Sequence, residues 1–271
     1  MFEALHFQFF QNALLVAIFA SIAAGLIGTY IVIKRMSLIS GSIAHTAFGG
    51  LGISYFLQAD PLIGGVLFSL LAAVSIALFK KNAKSRMDTL LSFLWATGMA
   101  IGLVFMFLTP GYATDLFTYL FGNILLVSRV DLYMILILDV VILATVYLMY
   151  NSFLAVTFDE EYSETRNMPV TIVNMILFGL IALTIVATIK VVGIVLMIAI
   201  LTIPAATAQM FHKTVKKIMI TSSIITLFAS ISGLFVSYYL NFPTGPIIVL
   251  IISTIYLGGI FLSNLRTPHS H

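Results

Sequence analysis

The sequence predicts an all-α polytopic membrane protein of about nine transmembrane helices, between about eight and about ten, with one short half-helix at the outer surface. Three observations predict it. The 271 residues are 61% hydrophobic and only 8% charged, and their mean hydropathy of +1.14 is far above that of a water-soluble domain. The apolar residues come in repeated runs near the ~20-residue length that crosses a ~30 Å hydrocarbon core. The charges between the runs are one-sided. Of 13 Lys and Arg residues, Lys34, Arg35, Lys80, Lys81, Lys84, Arg86, Arg166, Lys213, Lys216, Lys217 and Arg266 fall in alternate gaps, and only Arg129 and Lys190 fall in the others. Basic residues mark the cytoplasmic side, so the runs can be oriented as well as counted.

Phe9–Ile33 crosses inward. The residues before it include Glu3 but no Lys or Arg, so they lack the basic start of a secretory signal and fit an N-terminus outside. Lys34 and Arg35 then hold the far end inside. Ile39–Leu57 returns outward, Leu62–Phe79 runs inward, and Thr89–Leu108 returns outward to the loop TPGYATD. Leu116–Val127 rises only about 18 Å as a helix, short of the hydrocarbon core, and is read as half-inserted or surface-lying. Counting it as a crossing would put the acidic loop near residue 160 outside and break the charge asymmetry. Leu132–Met149 goes inward, Thr171–Thr188 outward, Val191–Phe211 inward, Ile218–Leu240 outward and Ile247–Leu262 inward. The C-terminus is therefore cytoplasmic. Residues 1–265 read as a single membrane domain and 266–271, ending in His269 and His271, as a disordered tail.

Several functions are excluded. There is no cysteine, hence no disulfide, thiol chemistry or iron–sulfur cluster. No His-Glu-x-x-His, Gly-x-Ser-x-Gly or Gly-x-x-x-x-Gly-Lys-Ser/Thr pattern occurs, so the chain reads as a non-enzyme, and any ATP must be bound by another chain. The basic clusters abut spans and are topogenic rather than nucleic-acid binding. Glycines at packing intervals (Gly25 and Gly28, Gly98 and Gly102, and Gly41, Gly49, Gly50 and Gly52) allow the close helix approach that lipid does not otherwise drive. Pro204 predicts a kink, with the Thr202 hydroxyl available to a freed carbonyl.

Three places carry potential chemistry. His45 is an ionisable group deep in a span, with Gly41 and Ser42 one turn earlier on the same face. Imidazole suits zinc and related ions, but a lone histidine among small residues also serves as a buried interhelical donor, and both readings stay open. Asp139 is the other intramembrane charge, open to structural pairing or to ion passage. Glu3, Asp60, Asp115 and Asp131 against Arg129 and Lys190 make a slightly cation-attracting outer face. The loop Thr157–Pro169 holds four of the ten acids, Asp159, Glu160, Glu161 and Glu164, with Tyr162, Arg166 and Asn167. Asp159 fits a helix cap with acids following in the first turn, Asn167 a left-handed stop, and Pro169 a terminator. The loop thus encodes a short helix between spans, either a plain solvated helix or a docking knob for a soluble protein.

Taken in order, GLIGTYIVIKRMSLISGSIAH (Gly25–His45), MDTLLSFLWATGMAIGL (Met87–Leu103), DLFTYLFGNILLV (Asp115–Val127), TFDEEYSETRNMPV (Thr157–Val170), KVVGIVLMIAILTIPAATA (Lys190–Ala208) and NFPTGPIIVL (Asn241–Leu250) resemble the membrane permease of metal-ion ABC importers, which carry zinc, manganese or iron. The resemblance implies a large-importer (type II-like) permease fold lacking one terminal helix, in a bacterial-type plasma (inner) membrane. It implies a homodimer with the path on its axis. Two cytoplasmic ATPase subunits would dock on Asp159–Asn167, and an extracellular or periplasmic metal-binding protein would deliver the ion. On this reading His45, Asp139 and Ser42 line the path, and Pro204 and Thr202 serve as a kink for gating. Two positions depart from the family pattern. An acidic residue often stands four before the histidine, where this chain has Gly41, and a glycine often stands where it has Asn167. The ion site then is weaker, recruits Asp139 or solvent, or belongs to a subgroup with other selectivity. A permease for a metal chelate such as a siderophore or corrinoid, and a proton-driven metal transporter with Asp139 as its proton site, remain alternatives.

Overall fold

The computed structural model describes residues 6–82, 86–109 and 118–266, and the described residues form α-helices and short connections. The helices are α1 (Gln8–Ile33), α2 (Ser37–Phe56), α3 (Pro61–Asn82), α4 (Met87–Leu108), α5 (Arg129–Leu148), α6 (Tyr150–Phe158), α7 (Glu160–Thr165), α8 (Val170–Val192), α9 (Met197–Phe211), α10 (Val215–Leu240) and α11 (Thr244–Arg266). Seven of them, α1, α3, α4, α5, α8, α10 and α11, are long and apolar enough to cross a membrane. The 20-residue α2 is diluted by Ser, Thr, Gly and His, and α9 has only 15 residues. With these two, the long helices correspond one for one to the spans read from the sequence.

Alanine and glycine set the packing. Along α1, Ala13, Ala17, Ala20 and Ala24 recur on one face and are buried, and α1 packs on α10, α9 and α5. A Cβ on Gly25 would overlap Ser223 of α10, and one on Gly28 would overlap the Leu201 carbonyl of α9. The α2–α4 pair is built the same way. Gly49 faces Gly98 and Gly52 faces Gly102, backbone on backbone. This close approach compensates for the missing hydrophobic drive between helices in lipid.

The helix ends agree with the local chemistry in most places. Asp159 caps α7, its Oδ1 accepting from the Tyr162 N–H at 2.8 Å. Asn167 takes a left-handed φ of 57° and Pro169 precedes α8. Two acids at the end away from the basic clusters also act as caps. Asp60 accepts from the Leu62 N–H at 2.9 Å, and Asp131 forms a capping box with Ser128 at the start of α5.

Three expectations need correction. The half-helix does not run through Val127: the helical turn at 118–121 ends at Gly122 (φ 73°), and only the 3-10 turn Ile124–Leu126 follows. Residues 110–117, including Asp115, lie outside the described residues, as do Glu3, Lys84 and the tail from residue 267. The α8–α9 turn falls at Gly193 (φ 80°), not before Val191, because Val191 and Val192 extend the helix until glycine permits the turn. The Thr202 hydroxyl donates to Ile198, its ordinary partner one turn back, at 2.6 Å, rather than to the Ile200 carbonyl that Pro204 frees. The span expected to end at Met149 does so, and the residues between it and the acidic loop, left unassigned by the sequence, form the further helix α6.

At the end of the bundle away from the basic clusters, Gly122 and Gly193 cross back to back. A Cβ on either would strike the other's backbone, and both have φ values that only glycine adopts without strain. The Ile194 N–H donates to the Tyr119 carbonyl (3.0 Å), the Val195 N–H to the Leu120 carbonyl (3.2 Å), and the Ile124 N–H to the Thr244 hydroxyl (3.3 Å). The segment 118–126 is thereby stitched to the ends of α8 and α11.

Candidate functional site

The face shared by α2 and α4 carries a line of polar features from one end of the bundle to the other. At the end away from the basic clusters is an open recess of about 530 Å³ lined by residues including Tyr55, Gln58, Thr109, Tyr119 and Asn123. His45 lies about 15 Å down α2 from Tyr55, at 1.5 Å rise per residue. A further turn or two along, a cavity of about 270 Å³ is lined by Leu38, Ser42, Asp88, Leu91, Ser92 and Trp95.

His45 is 7% exposed. Its ring stacks on Trp95 of α4 with centroids 4.3 Å apart and planes 24° from parallel, and its Nδ1 lies 3.4 Å from the Met99 sulfur. The ring is thus held by an indole on one face and a thioether at one nitrogen. Neighbouring hydroxyls turn elsewhere. Ser42 Oγ is 2.9 Å from both the Leu38 and Leu91 carbonyls, and Thr46 Oγ1 donates to the Ser42 carbonyl at 2.8 Å. Gly41 stands directly opposite Trp95, and a Cβ there would overlap the indole and the Ile198 side chain. Glycine at position 41 and tryptophan at position 95 are therefore one structural fact: the indole fills the room a longer side chain at 41 would need.

Asp139 is buried at 2% exposure, and neither carboxylate oxygen finds a hydrogen-bond partner among the described residues. Its helix, α5, packs on α1 and α8, whereas α2 packs chiefly on α3 and α4. The structure does not bring Asp139 and His45 into one site. No group of three or more His, Cys, Asp or Glu side chains suited to a metal occurs among the described residues.

At the basic end, Glu160 of α7 points back into the bundle instead of outward with its neighbours. The Lys34 ammonium, just past the end of α1, donates to Glu160 (2.8 Å), Asn174 Oδ1 (2.8 Å) and the Val156 carbonyl (3.2 Å), which satisfies its three N–H groups. Lys80 of α3 pairs with the same Glu160 oxygen. Burial alone would raise Glu160, but the hydrogen bonds and charges of Lys34 and Lys80 outweigh it and hold the carboxyl below the usual glutamate range. Lys34 is only 5% exposed at its side chain. Burial pulls its ammonium below the usual lysine range, and the hydrogen bond to Glu160 only partly offsets that, with Lys80 adding repulsion.

The other residues singled out in this loop, Asp159, Glu161, Tyr162, Glu164, Arg166 and Asn167, are exposed. Arg166 Nε donates to the Tyr162 hydroxyl at 3.0 Å and lies over its ring. Phe158 and Tyr162 in this segment are also exposed, at 68% and 54%. Sequence analysis places Phe158 in the loop Thr157–Pro169 but gives it no role. It also misses Trp95 and Met99, although Trp95 is the chain's single tryptophan and Met99 follows Gly98 of the packing motif.

Comparison with known proteins follows this architecture. The chain is similar to an uncharacterized membrane protein of Synechocystis sp., 42% identical over 95% of this chain and 92% of the relative. It is also similar to the manganese import system permease protein ScaB of Streptococcus parasanguinis, 33% identical over 98% of this chain and 94% of that protein. Among solved structures, PsaBC from Streptococcus pneumoniae in complex with Fab superposes with a TM-score of 0.87 at 34% identity, over 95% of this chain and 93% of that one. The family model for the ABC 3 transport family matches residues 6–263, nearly the whole length, and this chain belongs to that family.

Proposed function

We propose that this chain is the membrane permease subunit of an ATP-driven importer of divalent metal ions, with zinc, manganese or iron as cargo. Two copies form the path in a bacterial-type plasma (inner) membrane, with the N-terminus outside and the C-terminus cytoplasmic. Residues 1–265 act as one membrane domain, with 157–169 as its coupling segment. Two cytoplasmic ATPase subunits dock around α7, and an extracellular or periplasmic metal-binding protein presents the ion at the opposite end. The subunit itself hydrolyses nothing; ATP enters only through its partners. The observation that carries this reading is the full-length likeness to a manganese import permease.

The geometry supplies a mechanism. An ATPase that moves α7 pulls on Glu160, and through Lys34 and Lys80 the displacement reaches α1 and α3 directly. Helix α2 packs on α3 and carries His45, so a docking event at the basic end is relayed to mid-membrane. The kink at Pro204 gives α9 a point at which to flex. Asp139 enters as a separate polar position on α5, not as a ligand beside His45.

Reconstitution with the cognate ATPase and binding protein tests the whole. ATP-dependent uptake of at least one divalent metal is expected, with His45→Ala abolishing uptake while dimer assembly and ATPase docking persist. Ion flux without the ATPase would overturn the importer reading, and normal uptake by His45→Ala would remove His45 from the path.

A further inference from the structure

We propose that His45 and Met99, with Trp95 as their floor, form the ion-holding site, and that its nitrogen–sulfur donor set favours soft and borderline cations of the copper(I) and zinc class over manganese. This rests on the transport reading above and specifies its cargo. The imidazole Nδ1 and the thioether sulfur converge from α2 and α4 at 3.4 Å. With metal–nitrogen and metal–sulfur bonds of about 2.0 and 2.3 Å, that separation corresponds to a ligand angle of roughly 100°, near tetrahedral. A thioether is a soft donor that suits copper(I) and zinc, whereas manganese(II) wants carboxylate, carbonyl and water oxygens.

The oxygens a hard ion would need are not arranged around this point. Ser42 and Thr46 direct their hydroxyls at backbone carbonyls. A carboxylate on the preceding turn of α2 has no room, because the indole of Trp95 occupies it. Asp88 lines the cavity toward the basic end, which Trp95 also lines. The stacked indole fixes the imidazole plane. Water, or the same two side chains from a second copy, completes the coordination.

The test is equilibrium dialysis of the purified full-length dimer in detergent against Zn²⁺, Cu⁺ kept reduced, and Mn²⁺, followed by metal analysis. Divalent affinities rise from manganese to zinc at almost any site, so the deciding quantity is how the preference changes on substitution. Met99→Leu keeps the bulk and removes the sulfur. It is expected to weaken Cu⁺ and Zn²⁺ binding about tenfold or more while leaving Mn²⁺ binding unchanged. The double substitution Gly41→Asp with Trp95→Ala opens the room and supplies a carboxylate, and should shift the preference toward Mn²⁺. Equal losses for all three ions in Met99→Leu, or none, would overturn the proposal. So would a wild type that binds none of the three. Binding as expected without any ATP-driven uptake would leave this site standing and sink the importer reading instead.

Discussion

Glu160 shows best how a residue's surroundings decide its work. Its acidic neighbours face solvent, yet its own carboxylate is held between Lys34 and Lys80. Glu160→Gln should lower the melting temperature in detergent, and Glu160→Lys should do so more, by placing a third cation in the cluster. The pH dependence follows from the sign of the shift. A carboxyl held below its ordinary value of 4.5 contributes stability that is fully present above that value and is lost as pH falls through the folded-state value. The difference in melting temperature between wild type and Glu160→Gln is therefore expected to be flat near neutrality and to close below pH 4.5. Asp139 calls for a different experiment. An isolated buried carboxylate is costly, and an amide of the same shape carries no charge to bury. Asp139→Asn is expected to raise the melting temperature by a few degrees and to leave uptake within about twofold of wild type. A loss of uptake as deep as that of His45→Ala would place Asp139 in the path. Neither environment could be read locally. The partners of Glu160 lie 126 and 80 positions away in the chain, and no spacing rule reaches that far. The Trp95 indole against Gly41 is equally hidden, because glycine gives no sign of what fills the space beside it.

Helix α7 was legible as an element because its signals are local: a cap at Asp159, acids in the first turn, and a left-handed stop at Asn167. What the sequence did not reveal is its orientation, with Glu160 turned in and Phe158, Glu161, Tyr162 and Glu164 turned out. A docking test should therefore use the outward residues. Reversing Glu161 and Glu164 to Lys is expected to weaken co-purification of the ATPase and its stimulation without lowering the melting temperature. Unchanged co-purification would count against docking here. Glu160, the most obvious choice from sequence, would confound the test by loosening the helix itself. The half-helix shows the opposite case. Its residues keep an apolar helical pattern through Val127, but the turn at Gly122 is dictated by the Gly193 backbone, which arrives from another part of the chain. Gly122→Ala is expected to cost roughly 1–2 kcal/mol from the left-handed backbone alone, and more from the overlap, visible as a lower melting temperature.

For the whole molecule, the long apolar helices and the gathering of Lys34 and Lys80 with the acidic loop at one end were legible because lipid imposes both on composition before any packing detail matters. Lys34, Lys80, Glu160 and Asn174, from four different helices or their ends, meet at one end of the bundle, as the charge pattern requires. The line from recess to cavity along α2 and α4 was not legible, since it depends on which helices become neighbours. That line has an asymmetry built into it. One side of the recess, with Tyr119 and Asn123, belongs to the segment fastened to α8 and α11 by the glycine crossing and its hydrogen bonds. The facing side, with Tyr55, Gln58 and Pro61, is the turn joining α2 to α3. The hairpin that carries this side also carries Lys80 at the other end of α3, so the recess and the Glu160 cluster are joined through one pair of helices.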